Sequence, residues 1–551
     1  MTGAWLWMLV PLAPLLAAGA LGIWRERAVG WLWLACVPAL VLVVQPMPQI
    51  DLPVLWDGVR WGFDDDLSRA WLGFTALLWG CAGVFASSSL KNGPRPLRFW
   101  TFWLFALAGN LLLIIAADAL SFYLGFSAMS LCAYGLIVHQ GGPGPRRAGR
   151  LYLQLAICGE MALLAGLMLR THAAQGEFAF AAWQALPMDG LTLLLLLTGL
   201  GLKAGFWPLH VWLPLAHPAA PAPASAVLSG AMLKAGLLGI WRFLPEGDPL
   251  LSDWAGLALG VGIFGALYAA LLGLIAGKAK AVLAYSSVSQ MGYLVMLMGL
   301  AWRHPQQYSA MTIVLMLYGV HHGLAKGALF LAAGLIQAGR LPRIGWVLMA
   351  VPALAIIGLP LTSGGAVKTA LKEVWHAGEF ESWVVWLSLG SLTTALLLMR
   401  ALWLLHRDAA KPPAGRPPLM QVLPWALLSG LPLLLPWLWP ALREPMLGGL
   451  YPSGIWSSLW PMLAALGIAW VAVARGWRVP ARLANLPNPA LWLSLHLKRV
   501  VQRPPMTVPV VRVDASRWRQ RERRWNRFWN KGALAVSAWL LAVMLWLGWL
   551  W

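Results

Sequence analysis

Leu191-Thr-Leu-Leu-Leu-Leu-Leu-Thr-Gly-Leu-Gly-Leu-Lys203-Ala-Gly-Phe-Trp-Pro208-Leu-His-Val-Trp-Leu-Pro214 is long and apolar enough to cross a membrane. A helix rising about 1.5 Å per residue covers a bilayer core of about 30 Å in about twenty residues. Yet this stretch holds a lysine near its middle and two prolines. A charge at the centre of a spanning helix costs on the order of 2.5–3.5 kcal/mol on insertion scales, so it needs a reason. Proline frees backbone groups, which membranes tolerate only where protein or a polar cavity satisfies them. The stretch therefore reads as a discontinuous membrane helix built around a buried cation.

The rest of the chain fits that reading. Of 551 residues, 60% are hydrophobic and 11% charged, against about 25% charged in soluble domains. Further apolar stretches lie near 3–23, 29–45, 67–88, 99–116, 118–138, 151–170, 223–243, 254–276, 281–301, 308–337, 344–361, 364–380, 383–405, 421–441, 455–475 and 533–551. With 344–361 and 364–380 taken as halves of one interrupted helix, the expectation is an all-α polytopic protein of about sixteen transmembrane helices. The first stretch, Ala4 to Ile23, has neither a preceding basic region nor a convincing cleavage site, so it reads as a span. Cys36, Cys81, Cys132 and Cys158 are scattered without C-x-x-C spacing, which signals no disulfide framework, iron–sulfur or zinc site, and no cofactor is expected.

The net charge of +21 is explained by its distribution. Basic residues fill alternate loops: Arg25 and Arg27; Lys91, Arg95 and Arg98; Arg146, Arg147 and Arg150; Lys278 and Lys280; Arg340 and Arg343; Arg407, Lys411 and Arg416. Acidic ones fill the others, such as Asp64 to Asp66, Glu177 and Asp189, and Glu246 and Asp248. The positive-inside rule then predicts a bacterial inner-membrane protein with cytoplasmic basic loops and both termini outside. Membrane lipid, not nucleic acid, is the expected surface partner.

Residues 1–98 read as N-terminal helices, 99–243 and 254–405 as two halves, 421–475 as C-terminal helices, 476–531 as a basic segment and 533–551 as a last span. Ala490 to Val501, with Leu491, Trp492, Leu495 and Leu497, suits a short interfacial helix, and Arg512 to Lys531 is densely basic with Trp518, Trp525 and Trp529. That segment reads as lying on anionic headgroups, with a partner-docking surface as the second reading.

Ionisable residues deep in spans are Glu160, Lys203, Lys234, Lys326 and Lys368; Arg400, nearer a helix end, can snorkel. Four lysines cannot all pair statically with one carboxylate. A desolvated amine loads and releases a proton more readily as neighbouring charge changes, so the set reads as a proton path. Tyr318, His322 and Lys326 recur every four residues and share a helix face, with His322 as a titratable relay. Breaks fall beside Lys203, at Pro208 and Pro214, and beside Lys368, at Gly358, Pro360, Gly364 and Gly365. Paired interruptions of this kind suggest inverted repeats.

At these residues the chain resembles the antiporter-like proton-translocating subunits shared by NADH:quinone oxidoreductase, membrane-bound hydrogenases, Mrp cation/proton antiporters and the DAB inorganic-carbon accumulation complexes. The resemblance rests on Lys203 through Pro214, the Ala222-Pro-Ala-Ser-Ala226 run leading to Met232-Leu-Lys234-Ala-Gly236, Leu283 through Gly292, His322-x-x-x-Lys326-Gly-Ala-Leu-Phe330, and Gly358-Leu-Pro360 through Lys368. It covers roughly residues 60 to 405. It implies two inverted five-helix repeats, with Lys203 the central lysine of the first half-channel, Lys234 and the His322/Lys326 helix the link, and Lys368 the exit lysine of the second. The family's fifth-helix glutamate is replaced: Ser127 stands in its place. A hydroxyl brings no compensating charge, so Glu160, at the position of the family's sixth-helix acid, is expected to partner Lys203. Elimination among the relatives favours the membrane subunit of a DAB-type complex, with a soluble zinc-containing, carbonic-anhydrase-like partner. It rests on the altered acid, on a C-terminal segment too short and Pro-interrupted for a long coupling rod, and on moderate length. A proton-pumping subunit of a redox complex is the alternative, and a Na+/H+ antiporter subunit a third.

Overall fold

The computed structural model describes residues 5–477 apart from 46, 94, 378–380 and 411–414, together with 479, 480, 520, 521 and 524. The expected interfacial helix within 476–531 and the last span, 533–551, lie outside the described residues.

The described chain is a bundle of helices, with one two-stranded exception. Helices α1 (Trp5–Trp24), α2 (Val37–Val44), α3 (Asp66–Ser89), α4 (Pro96–Ile115), α5 (Ala119–Ile137), α6 (Pro143–Ala173) and α7 (Phe180–Gln184) lead to the first broken path. That path is α8 (Gly190–Ala204) and α9 (Leu213–Ala219), followed by α10 (Ala222–Val227) and α11 (Lys234–Phe243). After α12 (Pro249–Ile275), α13 (Ala279–Arg303) and α14 (Tyr308–Ala338) comes the second broken path, α15 (Arg343–Ile357) and α16 (Ser363–Ala377). Helices α17 (Glu381–Asp408), α18 (Leu419–Leu438), α19 (Pro440–Gly448) and α20 (Pro452–Ala474) complete it. Strands β1 (Ile50–Asp51) and β2 (Arg60–Trp61) pair antiparallel in the loop after α2.

Among the described residues thirteen helices are long and apolar enough to cross a membrane, and the chain is a multi-pass membrane protein. The first of these, Trp5–Val44, folds back on itself and holds two passes. Its return was expected as an α-helix over 29–45. Instead, residues Arg25–Cys36 form a 3-10 helix before α2. Arg25 takes a left-handed φ of 50°, which ends α1, and the tighter winding reaches farther. At about 2.0 Å per residue for the 3-10 part and about 1.5 Å for α2, the return still covers about 36 Å.

Aspartates cap one end of the bundle. Asp65, Asp118, Asp189 and Asp248 accept from the backbone N–H of Ser68 (2.6 Å), Ser121 (2.7 Å), Thr192 (3.0 Å) and Leu250 (2.9 Å), at the starts of α3, α5, α8 and α12. A carboxylate there satisfies orphan donors and meets the positive end of the helix dipole. Helices entering from the opposite end, α4, α6 and α13, begin at Arg95, Gly142 and Lys278 with no side-chain cap bond. The acidic loops are therefore also a row of caps.

Two runs of five passes, α4 to α11 and α12 to α17, share a plan. In each, the first two helices touch through glycines: a Cβ on Gly109 would stand 2.5 Å from the Gly125 carbonyl oxygen, and one on Gly262 2.6 Å from that of Gly292. In each, the fourth pass is broken.

Candidate proton pathway

The first break positions Lys203. Helix α8 ends on Gly205 at φ +70°, a conformation glycine takes without strain, and Trp212 Nε1 satisfies the Leu202 carbonyl at 2.9 Å. Lys203, in the last turn, is buried and donates from Nζ to Ser130 Oγ at 2.9 Å and Tyr152 Oη at 3.1 Å. Tyr152 in turn donates to the Ser130 carbonyl at 2.8 Å. Glu160 on α6 accepts from Ser127 Oγ at 2.9 Å, while its Oε1 is buried without a hydrogen-bond partner among the described residues. The residue at the altered acid position therefore holds the acid one helix away. Glu160 and Lys203 line one cavity of ≈ 10 Å³ with Ser130 and Tyr152, about the room a single water needs. They make no direct ion pair of 4.0 Å or less.

The middle of the bundle gathers Lys234, His322 and Lys326, all at zero exposure. Between α10 and α11 the chain widens into a π-turn, Leu228–Met232. Such bulges recur at functional sites. Here Ser229 offers its carbonyl to Lys234 Nζ at 2.6 Å and its hydroxyl to Ser287 at 2.8 Å. Lys326 Nζ donates to the Leu283 carbonyl at 2.9 Å. Both ring nitrogens of His322 and of His217, and the hydroxyls of Ser286 and Ser289, are buried without a hydrogen-bond partner among the described residues. Buried polar atoms are costly unless hydrogen-bonded, which sets this string apart from the packed apolar core around it.

The expected Tyr318–His322–Lys326 ladder is present as a shared face but not as a chain of direct bonds. The Tyr318 and His322 rings are 6.0 Å apart between centroids, and the Tyr318 hydroxyl donates instead to Gln290 Oε1. Gln290 continues to Thr394 Oγ1 at 2.9 Å. Neighbouring His321, not His322, turns to the second break, with Nδ1 2.8 Å from Ser363 Oγ.

That second break places Lys368. Helix α15 ends on Gly358 at φ +96°, and a Cβ there would stand 2.8 Å from Lys368 Cδ, so the glycine makes room for the lysine stem. Among the described residues Lys368 Nζ has no hydrogen-bond partner, and it lines a cavity of ≈ 60 Å³ with Gln290, Tyr293, Tyr318, His321 and Thr394. That is room for several waters. Geometrically, three polar groups result: Ser127, Glu160 and Lys203; Lys234, His322 and Lys326; Tyr318, His321 and Lys368. Among the described residues no side-chain hydrogen bond joins Lys203 to Lys234.

Sequence reasoning missed several members. Ser130, Tyr152, Gln290 and Thr394 look like ordinary polar residues in apolar helices, and only packing brings them to the lysines. Lys280 was counted with the loops, yet it lies in the first turn of α13 and donates to the carbonyls of Ala220 (2.5 Å) and His217 (3.3 Å). Buried Arg170 and half-buried Arg242 were missed as charges within the bundle, and both have a structural explanation. Arg242 donates to the carbonyls of Leu113 (3.0 Å), Ile114 (2.6 Å) and Ala116 (3.1 Å) and to Ser68 Oγ (2.8 Å), capping the end of α4. Arg170 donates to the carbonyls of Trp183, Leu186 and Pro187. Arg400 stacks on Trp403, 4.7 Å from the ring centroid.

Two broken helices, each with a lysine at the break, lie in two five-pass runs of a membrane bundle. Residues 116–397 match the transmembrane family of NADH:quinone oxidoreductases and Mrp antiporters, and the chain belongs to that family. Among its relatives is Hydrogenase-4 component B of Escherichia coli (strain K12), 31% identical over 52% of this chain and 44% of the relative. NADH-quinone oxidoreductase subunit N of Desulforudis audaxviator (strain MP104C) is 29% identical over 62% and 72%. The chain thus spans under half the length of the first. A solved structure of the Mrp complex from Dietzia sp. DQ12-45-1b contains a chain of the same fold, with TM-score 0.69 and 21% identity over 84% of this chain and all of that one.

Proposed function

We propose that the chain is the proton-conducting membrane subunit of a larger complex, with Glu160, Lys203, Lys234, Tyr318, His322, Lys326 and Lys368 as its stations. The observation that carries this is that buried Lys203, Lys234 and Lys326 and half-buried Lys368 stand without an ion-pair partner among the described residues, with buried polar atoms nearby that lack hydrogen bonds there. Fixed structural charges in a membrane interior are paired or capped, as Arg242 is. A lysine left with only hydroxyls or carbonyls, as Lys234 and Lys326 are, or set beside a small cavity, as Lys203 and Lys368 are, can take and give up a proton. Glu160 and Ser127 modulate Lys203; the central group passes charge between halves; Lys368 delivers it to the wetter cavity.

For the coupled reaction we favour inorganic-carbon accumulation, in which proton flux energises CO2 hydration or bicarbonate uptake by a soluble zinc-containing, carbonic-anhydrase-like partner. The altered acid at Ser127 supports it. The similarity to hydrogenase and quinone-reductase subunits favours the second reading, a proton-pumping subunit of a redox complex; the third is a Na+/H+ antiporter subunit. The setting is the bacterial inner membrane, with the basic loops cytoplasmic. Gentle extraction of the tagged full chain from its native membrane separates these readings. A stoichiometric zinc protein supports the first, flavin and iron–sulfur subunits the second, and sodium-dependent proton exchange by the purified assembly the third.

A further inference from the structure

At the end of the bundle opposite the aspartate caps, the C-termini of α14 and α17 and the start of α15 enclose a cavity of ≈ 260 Å³. It is far larger than the one at Lys368 and plays no part in the pathway. Its lining includes Ile336, Arg340, Leu341, Trp346, His406 and Ala409. The exposed Arg340 guanidinium has no partner among the described residues, and the Trp346 and His406 rings meet edge to face at 5.2 Å. Beside the cavity, α17 carries a cationic ladder. Trp403, half exposed, lies between the guanidinium groups of Arg400 and Arg407, 4.7 and 5.6 Å from its ring centroid. Next to it α15 turns Ile344 (70% exposed) and Val347 (63% exposed) outward, a surface suited to hydrocarbon.

We propose that this cleft binds the phosphate headgroup of an anionic phospholipid. Arg340 and the His406 imidazole supply donors to the phosphate oxygens, Trp346 walls the headgroup, and the acyl chains run along Ile344, Val347 and the exposed face of Trp403. Donors at the mouth of a spanning bundle, above an apolar outer face, match a molecule that is anionic at one end and apolar at the other. Basic pockets between spanning helices are the recurring form of such recognition. A free phosphate shares the headgroup chemistry but has no use for the apolar face.

The test uses the purified full chain in phosphatidylcholine vesicles doped with spin-labelled phosphatidylglycerol or spin-labelled phosphatidylcholine. The wild type should immobilise the phosphatidylglycerol label preferentially, and Arg340→Gln/His406→Gln should lower that preference about fivefold. Arg95→Gln, on another basic loop, should leave it unchanged, and millimolar inorganic phosphate should not compete. A preference kept in the double variant, lost equally in Arg95→Gln, or abolished by inorganic phosphate overturns the proposal. Should the double variant misfold, photoactivatable phosphatidylglycerol on the wild type decides: crosslinks within residues 336–346 or 403–410 support the site, and crosslinks only elsewhere overturn it.

Discussion

Ser127 Oγ donates a 2.9 Å hydrogen bond to Glu160 Oε2, joining α5 to α6 beside Lys203. Where relatives of this kind are expected to place the acid on the fifth helix, this chain keeps a donor there and holds the acid on the sixth. Glu160→Gln should therefore abolish proton flux. Ser127→Ala, losing one bond to a charged group worth about 1.5–3 kcal/mol, should slow it about tenfold. Ser127→Glu combined with Glu160→Gln should recover flux, since the carboxylate then returns to α5. A dye-based proton-uptake assay in vesicles reads all three.

Tyr152 holds Lys203 from the other side, accepting from Nζ at 3.1 Å while bonded to Ser130. Tyr152→Phe keeps the ring contact with Trp212, at 5.0 Å between centroids, and removes only the hydroxyl. The expected result is an assembled protein, by size-exclusion profile, whose proton flux is reduced severalfold; unchanged flux would remove Tyr152 from the pathway.

What the sequence made legible, and what it did not, follows from the physics of each position. A lysine in an apolar run is conspicuous because the membrane makes it costly, so Lys203, Lys234, Lys326 and Lys368 could be found without coordinates. The breaks at Gly205 and Gly358 announced themselves through neighbouring prolines and glycines. Ser130, Gln290 and Thr394 carry no such signature, because a hydroxyl or amide is cheap in a helix until its neighbours are known. The same holds for choosing His321 over His322 as the histidine at the second break. Adjacent residues on a helix point about 100° apart, and only the packing of α16 against α14 decides which one meets Ser363. The 3-10 return over Arg25–Cys36 was hidden because hydropathy reports apolarity and not winding.

Arg242 should matter for stability rather than transport. Its guanidinium satisfies three carbonyls at the end of α4 and Ser68, and Arg242→Met would leave buried acceptors unpaired at about 1–3 kcal/mol each. Thermal unfolding in detergent should occur many degrees lower, while protein that remains folded conducts protons normally.

His139 lies in the turn between α5 and α6, outside the spans, with both ring nitrogens buried without a hydrogen-bond partner among the described residues. Burial, and then the charge of Arg98, push its pKa down to about 4. The folded chain thus holds the imidazole neutral, whereas the unfolded chain binds a proton near pH 6.5, the usual value for histidine. Its contribution to stability is full above about pH 6.5 and is lost as pH falls through about 4. His139→Gln should flatten the acid side of a melting-temperature profile measured between those values.

The central claim is that protons cross on the buried lysines, and it is tested by imposing a pH step across vesicles that contain the assembled protein with its native partners. The wild type should dissipate the step, and Lys203→Met and Lys368→Met, each assembled normally, should leave it at the rate of empty vesicles. Dissipation by both variants at the wild-type rate would contradict the lysine pathway.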